Sequence, residues 1–172
     1  MLTDYRIRQR DHLLQIVRAM TQQLDLETVL TRILRAATEM LAGRAGLIAL
    51  RDELDRDQKN GIATFSIRAQ HGVSPEFLQH FETVLKNTSS AALIDPARYI
   101  IAELERRLHI LARSGPFNLE GTIGLPLEVR GELVGLLLVL RASTSPSTQN
   151  ERKILQAFAD HAAVAVTNAR LY

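Results

Sequence analysis

Cysteine is absent from the 172 residues. That excludes disulfides, thiolate nucleophiles, thiolate metal sites and thioether-linked cofactors at once, and it agrees with a reducing compartment. A Lys/Arg tract is also missing: 21 basic and 19 acidic residues are interspersed and leave a formal net charge of +2. Composition therefore points to neither nucleic acid nor a membrane surface as partner. The longest apolar run, Leu133 to Leu140, falls far short of the ~20 residues a membrane-spanning helix needs. The start, Met1-Leu2-Thr3-Asp4-Tyr5-Arg6, lacks the apolar core of a secretory signal. A cytoplasmic location is expected.

Catalytic constellations are missing as well. Ser114-Gly115 and the Ser143 to Ser147 loop do not make a nucleophile elbow. Gly121-Thr122-Ile123-Gly124 lacks the Lys-Ser/Thr ending and the following helix of a phosphate-binding loop. Asp52, Glu53, Asp55 and Asp57 do not match a calcium loop and read as a solvated hairpin loop. His12, His71, His80, His109 and His161 are scattered, without metal-ligand spacing. The chain is expected not to be an enzyme.

What is present is a regular series of elements. Leu13, Val17, Met20 and Leu24 recur at helical spacing in a first helix from about Asp4 to Gln23. Asp25 caps a second helix, whose stripe is Leu26, Val29, Leu30, Ile33, Leu34, Ala37 and Leu41, with Gly43 as its stop. Ala45 to Arg51 is an apolar strand. Ile62 to Gln70 alternates, with Ala63, Phe65, Ile67 and Ala69 on one face, and pairs with it as a hairpin. Ser74-Pro75-Glu76 opens a helix that buries Phe77, Leu78, Phe81, Val84 and Leu85. Thr88 to Asp95 is the least regular stretch and a candidate edge strand. From Pro96, Ala97, Ile100, Ile101, Leu104, Leu108 and Leu111 follow a 3.6 period until Gly115-Pro116. Two strands joined by Arg130-Gly131 follow, then a polar loop and a helix opened by the capping box Thr148-Gln149-Asn150-Glu151.

Strands grouped as hairpins, with helices before, between and after them, argue for a single α+β domain built on an antiparallel sheet. The run Leu133 to Leu140 marks a central strand covered on both faces. The domain divides into an N-terminal helix (1–23), an α/β core (24–147) and a C-terminal output helix (148–172). That last helix reaches Asn168-Ala169-Arg170-Leu171-Tyr172 with no stop signal, so the module is expected to belong to a longer signalling protein.

Five segments in order carry a family resemblance: Leu24-Asp25-Leu26-Glu27-Thr28-Val29-Leu30, Arg44-Ala45-Gly46-Leu47-Ile48, Ile123-Gly124-Leu125-Pro126-Leu127, Gly131-Glu132-Leu133-Val134-Gly135-Leu136-Leu137 and the helix from Leu155 to Ala169. Together they resemble a GAF domain over nearly the whole chain. The resemblance implies five or six antiparallel strands, N- and C-terminal helices on one face, and middle helices over a small-molecule pocket on the other. It implies a sensory or regulatory domain that relays a signal to an effector such as a histidine kinase in a two-component system. Its ligand and cofactor stay unidentified. A covalently attached bilin and methionine-sulfoxide reduction both need cysteine and are excluded. The Asn-Lys…Phe…Asp-Glu signature of cyclic-nucleotide-binding members is absent, since Lys59-Asn60 stands in reverse order.

On that reading, Tyr99, His109, Arg113, Phe117 and Thr122 are the candidate ligand-binding residues. Phe117 and Tyr99 offer apolar wall, Thr122 a hydroxyl, and His109 an axial nitrogen or, with Arg106, Arg107 and Arg113, a cationic contact. The alternative for the basic group is a solvated helix face with Glu103 and Glu105 as partners. The Pro96 to Ala112 helix either lines the pocket or fills it, which leaves a ligand-free dimerisation module as the second reading. Leu14, Val17 and Leu24 in the first helix, with Leu155, Ala162, Val166 and Ala169 in the last, are the candidate dimer and output surface of a homodimer.

Overall fold

The computed structural model describes residues 4, 6–13, 26–52, 65–87, 101–107, 110, 121–142 and 148–171. In helix α1 (residues 6–13) every described residue is exposed. Helix α2 (Leu26–Met40) turns Leu30, Leu34, Ala37 and Thr38 inward, the face that its apolar spacing prescribes. It ends in a Schellman-type turn: Gly43 N–H donates to Thr38 O at 2.8 Å and Ala42 N–H to Glu39 O at 3.2 Å. The left-handed residue is Ala42, with φ of 51°. Gly43 serves a different end, because a Cβ there would lie 2.6 Å from Val139 Cγ1.

Strand β1 (Ala45–Arg51) is buried on both faces up to its last residue. Strand β2 (Phe65–His71) pairs with it antiparallel, with a register shift between Ile48 and Ala49. The shift leaves Arg68 as an extra residue and reverses the strand's facing. Phe65 and Ile67 join one core, whereas Ala69 joins the opposite one. Strict alternation would have kept all three together. The bulged Arg68 reaches back to Glu27 of α2 at 3.3 Å.

Helix α3 (Pro75–Asn87) starts where the Ser74 hydroxyl accepts the Phe77 N–H at 3.2 Å. Phe77 and Phe81 stack with centroids 6.4 Å apart. Helix α4 (residues 101–107) lies inside the predicted Pro96 to Ala112 helix. Strands β3 (Gly121–Val129) and β4 (Glu132–Arg141) form the second hairpin. Its turn places Arg130 and Gly131 both at positive φ, 53° and 78°, the two-residue turn whose twist suits a hairpin. Helix α5 (Gln149–Leu171) opens with the expected capping box, Thr148 N–H to Glu151 Oε1 and Glu151 N–H to Thr148 Oγ1, each at 3.1 Å.

The sheet order is β2-β1-β4-β3, antiparallel throughout. Four strands, not five or six, are seen among the described residues, because each of the two hairpins supplies two. The candidate strand at Thr88 to Asp95 lies outside the described residues. The sheet separates two apolar layers. On one face α2 and α5 pack over Ile48, Leu137 and Val139. On the other, α3 and α4 pack over Leu47, Ala49, Leu136 and Leu138. The consecutive leucines of β4 feed both layers by turns, which is why that strand reads as one apolar run.

Candidate functional site

The face under α3 and α4 is where a ligand pocket was expected. Its floor is Ala45, Leu47 and Ala49 of β1 with Leu136, Leu138 and Leu140 of β4, and its cover is Phe77, Phe81, Leu85, Ile101 and Leu104. Leu104 and Phe81 are wholly buried. The described part of the Pro96 to Ala112 helix therefore places its stripe directly on the sheet. The closeness depends on Gly124 of β3: a Cβ there would sit 3.3 Å from both Cδ1 and Cγ2 of Ile101 and 2.8 Å from Leu138 Cδ2.

Among the described residues of this layer polar groups are few. Among the described residues the one fully buried polar side chain is Thr38, in α2 on the opposite face, and its hydroxyl donates to Leu34 O at 2.7 Å. On the α4 side Glu105 is half-buried and accepts the backbone N–H of Gly124 at 3.1 Å. Desolvation raises its pKa, opposed by that hydrogen bond and by the charge of Arg152 from α5. Glu103, two residues earlier, faces another way. It accepts from Arg106 at 2.7 Å and from Arg107 at 2.9 Å, and these two hydrogen bonds hold its pKa at about 2. Arg106 and Arg107 are thus turned to a carboxylate of their own helix, one turn back, as i,i+3 and i,i+4 spacing permits. Glu103 is thus the partner of both Arg106 and Arg107, while His109 and Arg113, the other cations of the group, lie outside the described residues.

Of the five candidate ligand residues, Thr122 is described. It is half-buried on β3 opposite Leu140. Tyr99, His109, Arg113 and Phe117 lie outside the described residues. Of the candidate dimer and output residues, Leu14, Val17 and Leu24 also lie outside them. Leu155, Ala162 and Val166 are wholly buried in the domain's own α2/α5 layer, so they present no surface to a second copy of this fold. Ala169 is exposed. The outward stripe of α5 is Ala157, His161, Val164 and Asn168, with Val164 58% exposed. Residues 155, 159, 162 and 166 share helical spacing, and so do 157, 161, 164 and 168 on the opposite side. Periodicity finds both stripes without saying which one the sheet takes.

Two contacts that sequence reading passed over hold α5 in place. Arg141, at the end of β4, is ion-paired with Glu151 in the first turn of α5, the two side chains being 11% and 25% exposed. At the other end, Arg170 donates to Arg51 O, the last carbonyl of β1, at 2.7 Å. The capping-box N–H of Thr148 and the Arg141 charge keep the Glu151 carboxyl below its usual range. Arginine at a strand end and in a last helical turn is a visible sequence signal, but the partners sit far off along the chain. Among the described residues no group of three or more His, Asp or Glu side chains is placed to hold a metal ion, and no helix is long and apolar enough to cross a membrane.

The GAF domain profile matches residues 25–166, from the start of α2 to the last buried turn of α5. This chain belongs to the GAF domain family. Solved GAF domains share its fold. One is from a GAF domain/HD domain protein of Geobacter sulfurreducens, 22% identical with a TM-score of 0.56, covering 86% of this chain and 96% of that one. Another is from a phosphoenolpyruvate-protein phosphotransferase of Coxiella burnetii, 18% identical with a TM-score of 0.54 and coverage of 92% and 94%. A third is from a protein described as a sensor histidine kinase of Pseudomonas syringae pv. tomato, 18% identical with a TM-score of 0.53 and coverage of 95% and 96%. Identity at this level speaks for the fold. The GAF core of this chain is the two-layered sheet just described, and its helix α5 is tied to both central strands.

Proposed function

We propose that this GAF domain is a non-catalytic sensory or regulatory module that binds a small molecule or a partner and passes the signal through its terminal helices to a downstream signalling module. The observation that carries the reading is the double anchoring of α5. Arg141–Glu151 ties its first turn to β4, and Arg170 to the Arg51 carbonyl ties its last turn to β1. A displacement of the two central strands therefore carries the whole helix with it, as a rigid-body shift rather than a local one. A histidine kinase is one effector class that suits such a helix, and a homodimer is the assembly in which its shift would be read. The outward stripe around Val164 is the surface offered for pairing. Nucleic acid and membrane are not among the proposed partners.

A second reading has its own support: a ligand-free dimerisation module whose pocket is filled. Ile101 and Leu104 lie buried on the sheet where a ligand would sit. Native mass spectrometry of protein purified from cells, compared with its denatured mass, separates the two. A non-covalent small-molecule adduct supports the sensor. Bare dimer supports the second reading, and bare monomer removes the support of both.

A further inference from the structure

Helix α4 meets Gly124 of β3 by two means. Ile101 lies over the bare Cα of Gly124, and one turn later the Glu105 carboxylate accepts the N–H of the same residue at 3.1 Å. Gly124 is on β3, which among the described residues is the last strand in the order β2-β1-β4-β3. Its N–H points along the sheet's outer edge, where the carbonyl of a further strand would accept it. The side-chain oxygen takes that place, satisfying an edge donor that otherwise invites pairing.

This contact differs in kind from the rest of the α4 seat. Leu104 and Ile101 are held by apolar burial, which has no directional preference. Glu105 is half-buried, and among the described residues it is hydrogen-bonded to a backbone N–H of β3 and feels the charge of Arg152 from α5. The neighbouring Glu103 carboxylate is instead paired with Arg106 and Arg107 of its own helix. We propose that Glu105 is a latch: its hydrogen bond to Gly124 N–H holds α4 closed on β3, and breaking it lets α4 lift from β3 while the sheet and the α2/α5 layer stay folded. The proposal deepens the sensory reading by naming the element whose opening exposes the ligand face, and it rests on that reading for its biological meaning.

The test is hydrogen–deuterium exchange of the full chain followed by mass spectrometry, comparing wild type with Glu105→Ala and Glu105→Gln. The glutamine keeps an acceptor oxygen at the same place, whereas alanine removes it. In Glu105→Ala, exchange in peptides covering residues 101–107 and 121–129 rises by about tenfold, the loss expected for one hydrogen bond to a charged group. Peptides covering α2 and α5 keep the wild-type rate, and Glu105→Gln stays closer to wild type than to alanine. Unchanged exchange in Glu105→Ala would overturn the latch, as would a rise spread evenly over all peptides. Glu105→Gln opening as far as Glu105→Ala would overturn its assignment to the acceptor oxygen. The experiment uses no ligand and no effector, so a failed latch leaves the sensory reading standing, and a domain that proves ligand-free leaves the latch intact.

Discussion

Gly124→Ala probes the seat of α4 most sharply. The added Cβ would stand 2.8 Å from Leu138 Cδ2 and 3.3 Å from two carbons of Ile101. Leu138 is 1% exposed, so its side chain has little room to turn away. Two effects oppose each other. Removing a glycine restricts the unfolded chain, which stabilises by about 0.4–1 kcal/mol where the native backbone tolerates alanine. Overpacking a filled layer destabilises by about 1–3 kcal/mol. The second outweighs the first, leaving a net loss of about 1–2 kcal/mol. At this chain length that lowers Tm by roughly 2–8 °C. Urea unfolding is the assay, with an unchanged slope showing that stability alone has moved. A cycle with Ile101→Val refines it. The valine removes Cδ1, one of the crowded carbons, and by itself costs about 0.5–1.5 kcal/mol. The double variant is expected to lose less than the sum of the singles, by about 0.5 kcal/mol or more. Wild-type or higher stability in Gly124→Ala would refute the tight seat, and additivity of the two changes would refute the claim that Ile101 is, with Leu138, one of the groups the new methyl meets.

Leu104→Ala removes a wholly buried side chain from the same layer and is expected to cost about 2–5 kcal/mol in urea unfolding. Glu103, held at about 2 against an ordinary 4.5, contributes stability that is present above 4.5 and lost as pH falls toward 2. Glu105, with its pKa raised by burial, contributes in the opposite sense: its effect is most favourable below 4.5 and is lost as pH rises through the raised value. Unfolding titrations at stepped pH should therefore find Glu103→Gln flattening the acid limb and Glu105→Gln flattening the decline above it. Val164→Lys, on the outward stripe of α5, is expected to leave monomer stability within about 0.5 kcal/mol of wild type while weakening self-association, read by light scattering on a sizing column; unchanged association would move the pairing surface elsewhere. Arg170→Met removes the donor to the Arg51 carbonyl and should speed amide exchange in the last turns of α5 with little change in its first turn.

Much of the architecture was legible because the signals are local. Apolar spacing marked α2 and α3, the Ser74 and Thr148 caps marked two helix starts, and Arg130-Gly131 marked the hairpin turn. The ordered motifs from Leu24 to Ala169 were enough for the family. The site was legible only in part. Glu103 and Glu105 read alike in sequence, two acids near two arginines. One binds both cations and the other leaves the helix for a strand-edge N–H, a choice that depends on where Gly124 arrives from nineteen residues away in the chain.

What the sequence determined alone, among the described residues, is therefore the kind and order of the elements, several of their ends and their apolar stripes, since propensity, capping and periodicity act over a few residues. Tertiary structure decided which way each stripe faces. The bulge at Arg68 moved Ala69 to the other core, and packing on the sheet took Leu155, Ala162 and Val166 inward, leaving Val164 outside. A helix with two usable stripes, or a strand whose facing reverses with one extra residue, has no inside until a second element meets it.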